Sequence, residues 1–264
     1  MRDGWRLALG TLTVLPCRPP RVVDRRTASW AMTLAPVVGL LLGALVLAAL
    51  VLLRTSGAPP VLQAVLVLGL LVLLTRALHL DGLADTTDGL GSRRPASEAL
   101  QVMRRGDIGP FGVLSLVFAL AVQIAALSGL AARHQADRPL VIAIVLSRGL
   151  LPVLCRQGIP AARGDGLGSV VAGVVGPGRL ALSGLLTAGA LAAGLSLVRV
   201  ADASPPPGVL ASVVAGAVGL AAGMLLCRRA VGRLGGVTGD VLGACVEVTA
   251  TVVLLGTSLA AGAS

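Results

Sequence analysis

The sequence predicts an all-α, polytopic integral membrane bundle of about seven transmembrane helices, with the N-terminus inside and the C-terminus outside. Composition gives the class: 55% of the 264 residues are hydrophobic and 13% charged, far more apolar than a soluble domain. Runs of about 20 apolar residues recur, each long enough for a bilayer core of about 30 Å. The runs are continuous and do not alternate, which excludes barrel strands. The whole chain, 1–264, reads as one membrane domain.

In chain order, 5–15 reads as a short amphipathic or partly inserted helix, ended by Pro16, Pro19 and Pro20. Pro16, Cys17 and the arginines after them break the first apolar stretch, so no cleavable signal peptide is expected. The predicted spans are 30–53, 61–78, 111–130, 140–154, 180–198, 209–226 and 241–260. The second delivers the chain into a polar segment, 79–109, with a helical stretch at 96–105. Residues 155–179, which hold a Gly-rich segment at 164–169, separate the fourth and fifth spans. A proline turn, 202–208, precedes the sixth, and a second polar loop, 228–240, precedes the seventh.

All 22 basic residues are Arg, and the net charge is +10. With the N-terminus inside and strict alternation, the cytoplasmic segments hold 16 arginines and the external loops four, Arg54, Arg133, Arg138 and Arg199. That bias sets the orientation. It places nearly all carboxylates outside the N-terminal arm at the cytoplasmic face, leaving Asp137 and Asp202 outside. The arginines are scattered without an aromatic stacking platform, since aromatics are 2% and Tyr is absent, so nucleic acid is not expected as a partner. The lipid bilayer and an anionic, phosphate-bearing substrate explain the charge better. Cys17, Cys155, Cys227 and Cys245 lack metal-ligand spacing and read as small buried hydrophobes. A homo-oligomer is compatible with the sequence.

The densest chemistry lies in His79-Leu80-Asp81-Gly82-Leu83-Ala84-Asp85-Thr86-Thr87-Asp88-Gly89. Asp81, Asp85 and Asp88 are spaced i, i+4, i+7, which puts them on one helix face. Three like charges on one stripe repel. A hard divalent cation such as Mg²⁺ reconciles them, since it bridges carboxylates to phosphates. The alternative is a solvated helix end, but the chain has only 12 Asp and Glu and spends three here. Asp240 and Glu247, i and i+7 on the last span, are the second acidic pair. Glu247 lies about two turns inside an apolar span, where an ionisable group is costly and by default a functional candidate; a neutral Glu gluing helices together is the plainer reading. Ser147-Arg148-Gly149 lies within the fourth span, where Arg148 needs an anion. Arg104, Arg105 and Asp107, just before the third span, suit a diphosphate or a plain positive-inside cluster. His79 suits ligand orientation, proton transfer or a structural role.

These residues resemble the cobalamin synthase family, the adenosylcobinamide-GDP ribazoletransferases. The likeness runs in order from Leu12–Pro16 and Pro36–Gly43 through His79–Gly89, then Met103-Arg104, Ile108-Gly109 and Gly112, Ser147-Arg148-Gly149, Gly166-Leu167-Gly168, and Gly236 to Glu247 with Thr238-Gly239-Asp240. It covers nearly the whole chain. One departure stands out: the family pattern places an acid after Met-Arg and a base before Ile-Gly, whereas here Arg105 and Asp107 are in the opposite order. The resemblance implies the last nucleotide-loop step of cobalamin synthesis in the bacterial cytoplasmic membrane, joining adenosylcobinamide-GDP to α-ribazole or its 5′-phosphate with release of GMP. The residues then take roles. Asp81, Asp85, Asp88, Asp240 and Glu247 are expected to hold Mg²⁺, with Asp88 or Glu247 as the base. His79, Arg104, Arg105, Asp107, Ser147, Arg148 and Thr238 are expected to contact substrate. The rivals are a CDP-alcohol phosphotransferase-like enzyme, whose Ala-Arg is missing after Asp88-Gly89, and an ion-coupled transporter, which should carry mid-membrane acids and an internal repeat.

Overall fold

The computed structural model describes residues 1–201 and 209–262; the turn expected over 202–208 lies outside them. The N-terminal arm forms α1 (Arg2–Leu12) and α2 (Arg25–Thr33). The Asp24 carboxylate caps α2 by accepting from the Thr27 backbone N–H at 2.7 Å, which holds it below the usual carboxylate range. The first predicted span is divided. Its start belongs to α2, and α3 (Ala35–Thr55) begins afresh with Pro36 in its first turn, where a missing N–H costs nothing.

The second predicted span also ends early. After α4 (Pro60–Leu74), Arg76 and Ala77 take φ of 53° and 55°, and α5 (Leu78–Gly91) leaves at 87° to α4. Two successive left-handed residues without glycine are strained. They turn the acidic stretch across the bundle end. A short α6 (Ala96–Val102) leads to α7 (Pro110–Ala132). Then come α8 (Asp137–Gly149), α9 (Leu151–Leu154), α10 (Gly166–Val171), α11 (Pro177–Ala201), α12 (Val209–Leu234) and α13 (Gly239–Gly262). Among the described residues the only extended pairing is two isolated bridges, Arg156 with Val175 and Ala161 with Val237.

Among the described residues, five helices, in α3, α7, α11, α12 and α13, are long and apolar enough to span a membrane, or six crossings if the bent α4–α5 pair counts as one. The expectation of about seven included α4 and α8. At 15 and 13 residues these are only about 22 and 20 Å long. α8 is the buried axis, packed against α3, α11, α12 and α13. Outward apolar side chains such as Phe118, Leu185, Leu210 and Leu225 remain exposed, as lipid-facing surfaces do.

The two ends of the bundle differ. At one, Arg54 pairs with Asp137 at 3.1 Å. At the other gather α1, α2 and the polar connections. Arg179 stacks over Trp30, 4.8 Å from the ring centroid. Arg25 donates to the Gly173 carbonyl at 3.2 Å, and Arg233 to the Arg94 carbonyl at 3.1 Å. The segment 155–176 is thus tied down at this end.

Replacing Ala77 by Gly removes the Cβ penalty at the α4–α5 corner. Ala77→Gly is expected to raise stability by up to about 1 kcal/mol, read as a higher midpoint of thermal unfolding in detergent.

Candidate active site

The acidic helix α5 lies directly on the start of α13. Gly82 makes this approach possible: a Cβ there would fall 2.6 Å from the Asp240 carbonyl oxygen. Thr238 starts α13 as its N-cap, with its hydroxyl accepting from the Val241 N–H at 3.2 Å. The same hydroxyl donates to Asp240 Oδ2 at 3.2 Å. Asp240 also meets Arg163, whose guanidinium stands 3.1 Å from Oδ2.

Asp85 and Asp81 of α5 and Asp240 of α13 lie within electrostatic reach of one another, with Arg163 the cation among them. Asp81 is exposed, while Asp85 and Asp240 are half-buried. On the Asp240 side of this group opens a cavity of about 160 Å³, lined by Arg163, Asp165, Thr238 and Asp240 and by the apolar Leu78, Leu167 and Val237. Arg104, at the end of α6, forms an exposed ion pair with Asp165, which brings it to the cavity's rim. Arg105 and Asp107 are exposed.

The remaining acids of the expected set are turned elsewhere. Asp88 is buried and caps α7: Oδ2 accepts from Gly109 N–H at 2.7 Å and Oδ1 from Gly112 N–H at 2.9 Å. A Cβ at Gly109 would lie 2.5 Å from Asp88 Oδ1, which explains a glycine there. A carboxylate suits a helix N-terminus, and its two oxygens are spent on it.

Glu247 lies deeper, partly buried, accepting from Gln123 of α7 at 2.5 Å. Gln123 also donates to the Thr251 hydroxyl at 2.8 Å. Glu247 is the carboxylate within electrostatic reach of Arg148. Arg148, 2% exposed, contacts the Ser147 hydroxyl at 2.9 Å and His79 Nδ1 at 3.2 Å. Two polar contacts thus lie close together in the interior: His79, Ser147 and Arg148 join α5 to α8, and Gln123, Glu247 and Thr251 join α7 to α13.

The spacing therefore resolves into three places: a surface group of Asp81, Asp85 and Asp240 beside the cavity, a cap at Asp88, and an interior knot at Glu247. Among the described residues, no three His, Cys, Asp or Glu side chains close on one point as a metal cage. The surface group still suits Mg²⁺. Its donors are all carboxylate oxygens, and Mg²⁺ commonly takes one or two carboxylates and completes its shell with water and substrate phosphates.

Comparison with known proteins supplies the family. The family model described as cobalamin-5-phosphate synthase matches residues 4–258. The chain belongs to that family. A protein of Nocardioides sp., named adenosylcobinamide-GDP ribazoletransferase, is 43% identical over 97% of this chain and 98% of its own length. A Frankia casuarinae protein of the same name is 42% identical over 95% of this chain and 92% of its own. One from Stutzerimonas stutzeri, also so named, is 39% identical over 97% and 98%. No solved structure matches. In this member of the family, Arg163, Asp165, Gln123 and Thr251 join the neighbourhood that the motifs mark. Gln123 carried a signal, as a polar residue inside an apolar span. Arg163 carried none among 22 arginines.

Removing a buried charge leaves a nearby opposite charge less compensated, and Glu247 is the carboxylate acting on Arg148. Arg148→Met is expected to lower stability by about 3 kcal/mol, and adding Glu247→Gln should recover part of the loss. Strictly additive losses in denaturant or thermal unfolding would show that the two do not interact.

Proposed function

We propose that this chain is an adenosylcobinamide-GDP ribazoletransferase of the bacterial cytoplasmic membrane, with its reaction centre at the cytoplasmic face. It joins the adenosylcobinamide phosphate to the 5′-hydroxyl of α-ribazole, or of α-ribazole 5′-phosphate, and releases GMP. The names of its relatives support the substrates. The observation that carries the chemistry is the convergence of Asp81, Asp85 and Asp240 with Arg163 beside a cavity that Arg163 and Asp240 line. The gathering of polar, Arg-rich segments at that end of the bundle supports the sidedness.

In the reaction, the 5′-oxygen of the acceptor attacks the phosphorus that bears the cobinamide. The bridging P–O bond breaks, and GMP departs with the bridging oxygen. Such a transfer needs positioning and neutralisation of charge more than covalent chemistry. Bound Mg²⁺ would neutralise the diphosphate and stabilise the leaving phosphate. One or two of Asp81, Asp85 and Asp240 would hold it; Asp88 stays outside because both its oxygens accept from the start of α7, and Glu247 because it lies deeper, against Gln123. The proton of the attacking hydroxyl passes to a carboxylate of the surface group. Thr238 orients Asp240, and Arg163 offsets its charge in the free protein. Arg104 brings positive charge to the rim, where phosphates enter.

The test is GMP release by the purified full-length protein given adenosylcobinamide-GDP and α-ribazole, with Mg²⁺ or with a chelator. Chelation, and separately Asp85→Asn, should each lower the rate by about 10²-fold or more while thermal unfolding shows a folded protein. Undiminished transfer by Asp85→Asn would remove that residue from the site. Absence of a cobamide product with either acceptor would remove the assigned reaction.

A further inference from the structure

Arg163 is held in place more firmly than a surface arginine requires. Its loop is clamped against the start of α13: Ala162 N–H donates to the Val237 carbonyl at 3.0 Å, and Val237 N–H to the Pro160 carbonyl at 2.9 Å. A Cβ at Gly236 would fall 2.5 Å from the Ala161 carbonyl carbon, so a glycine is what lets the two segments pair. The clamp presents the Arg163 side chain, 16% exposed, to Asp240. The contact joins one guanidinium nitrogen to one carboxylate oxygen, not the two-pronged pairing that a guanidinium and a carboxylate favour. Nε of Arg163 is buried without a hydrogen-bond partner, and a buried donor left unmade costs about 1–3 kcal/mol.

The same side chain lines the cavity of about 160 Å³ with Asp165, Thr238 and Asp240. Pockets that enclose a whole drug-sized ligand run from about 300 Å³ upward. This one suits a small part of a larger substrate, with Arg163, Asp165 and Asp240 on its wall. Arg163 is also the cation acting on both Asp85 and Asp240. It neutralises these acids in the free protein, and it becomes available when a cation satisfies them.

We propose that Arg163 is the diphosphate-recognition residue of this site. Its guanidinium exchanges Asp240 for phosphate oxygens of a nucleoside-diphosphate-activated donor, using the fork that Asp240 leaves half-filled. This rests on the transferase reading above, and it goes further in assigning the donor's diphosphate, not the acceptor, to one residue.

The experiment compares full-length wild type with Arg163→Gln and Arg163→Lys. It reads KM for adenosylcobinamide-GDP, KM for α-ribazole, and the rise in unfolding temperature caused by inorganic pyrophosphate with Mg²⁺. Arg163→Gln should raise the donor KM about 10-fold or more, as expected for a lost charge-assisted contact. It should leave the acceptor KM within two-fold and remove the pyrophosphate response. Arg163→Lys keeps the charge but not the fork, so it should restore the donor KM and the pyrophosphate response only in part. A donor KM and pyrophosphate response unchanged in both variants would overturn the assignment, as would an acceptor KM that moves as far as the donor KM. Should Arg163→Gln fail to fold, the same criteria apply to Arg163→Lys. If wild type transfers nothing, the transferase reading fails. The pyrophosphate response, present in wild type and lost in the variant, still decides the role of Arg163.

Discussion

A guanidinium sealed among apolar helices must be met by polar groups from its neighbours. Arg148, the largest fully buried side chain, imposes this on the whole bundle. It sits near the end of the short axial helix α8, too short to cross a bilayer by itself. His79 answers it from α5 at 3.2 Å and Ser147 from its own helix, while Glu247 of α13, held by Gln123 of α7, offsets its charge from further off. α5 and α8 are thereby fixed against each other in rotation and depth. The orientation of α5 follows: with His79 directed inward, Asp81 two residues later points outward, and Asp85 one turn on stays beside the start of α13.

That arrangement accounts for the local chemistry of the acidic stretch. The strained corner at Arg76 and Ala77 ends α4 early and lays α5 across the end of the bundle. Gly82 lets it touch the Asp240 backbone. Three carboxylates then collect near Arg163, a cost in repulsion that ordinary packing would avoid. Active sites are where such costs are retained.

Much of this was legible in the sequence. Apolar runs gave the class, the scarcity of acids marked α5 and α13, and Arg148 inside a span announced its need for an anion. Helical spacing could not say which neighbour each face meets. Asp81, Asp85 and Asp88 share a face by arithmetic, yet Asp88 turns into the exposed N–H groups at the start of α7, whose location depends on the return of the chain 21 residues later. Glu247 was legible as functional or structural but not as Arg148's counter-charge, because that pairing is set by helix packing. Span boundaries were less legible: an apolar run does not reveal a left-handed corner at Arg76, nor that α8 is enclosed by other helices. Arg163 was invisible because its importance comes from a clamp between two loops distant in sequence.

The division of the acids into a reacting surface group and an interior knot is the central claim. The most direct test compares Asp240→Asn with Glu247→Gln in the transfer assay, at a temperature where unfolding curves show both variants folded. The account predicts that Asp240→Asn loses transfer while Glu247→Gln retains it and is only less stable. Loss of transfer in folded Glu247→Gln with activity kept in Asp240→Asn would contradict it, and would move the reacting centre from the bundle end to its interior.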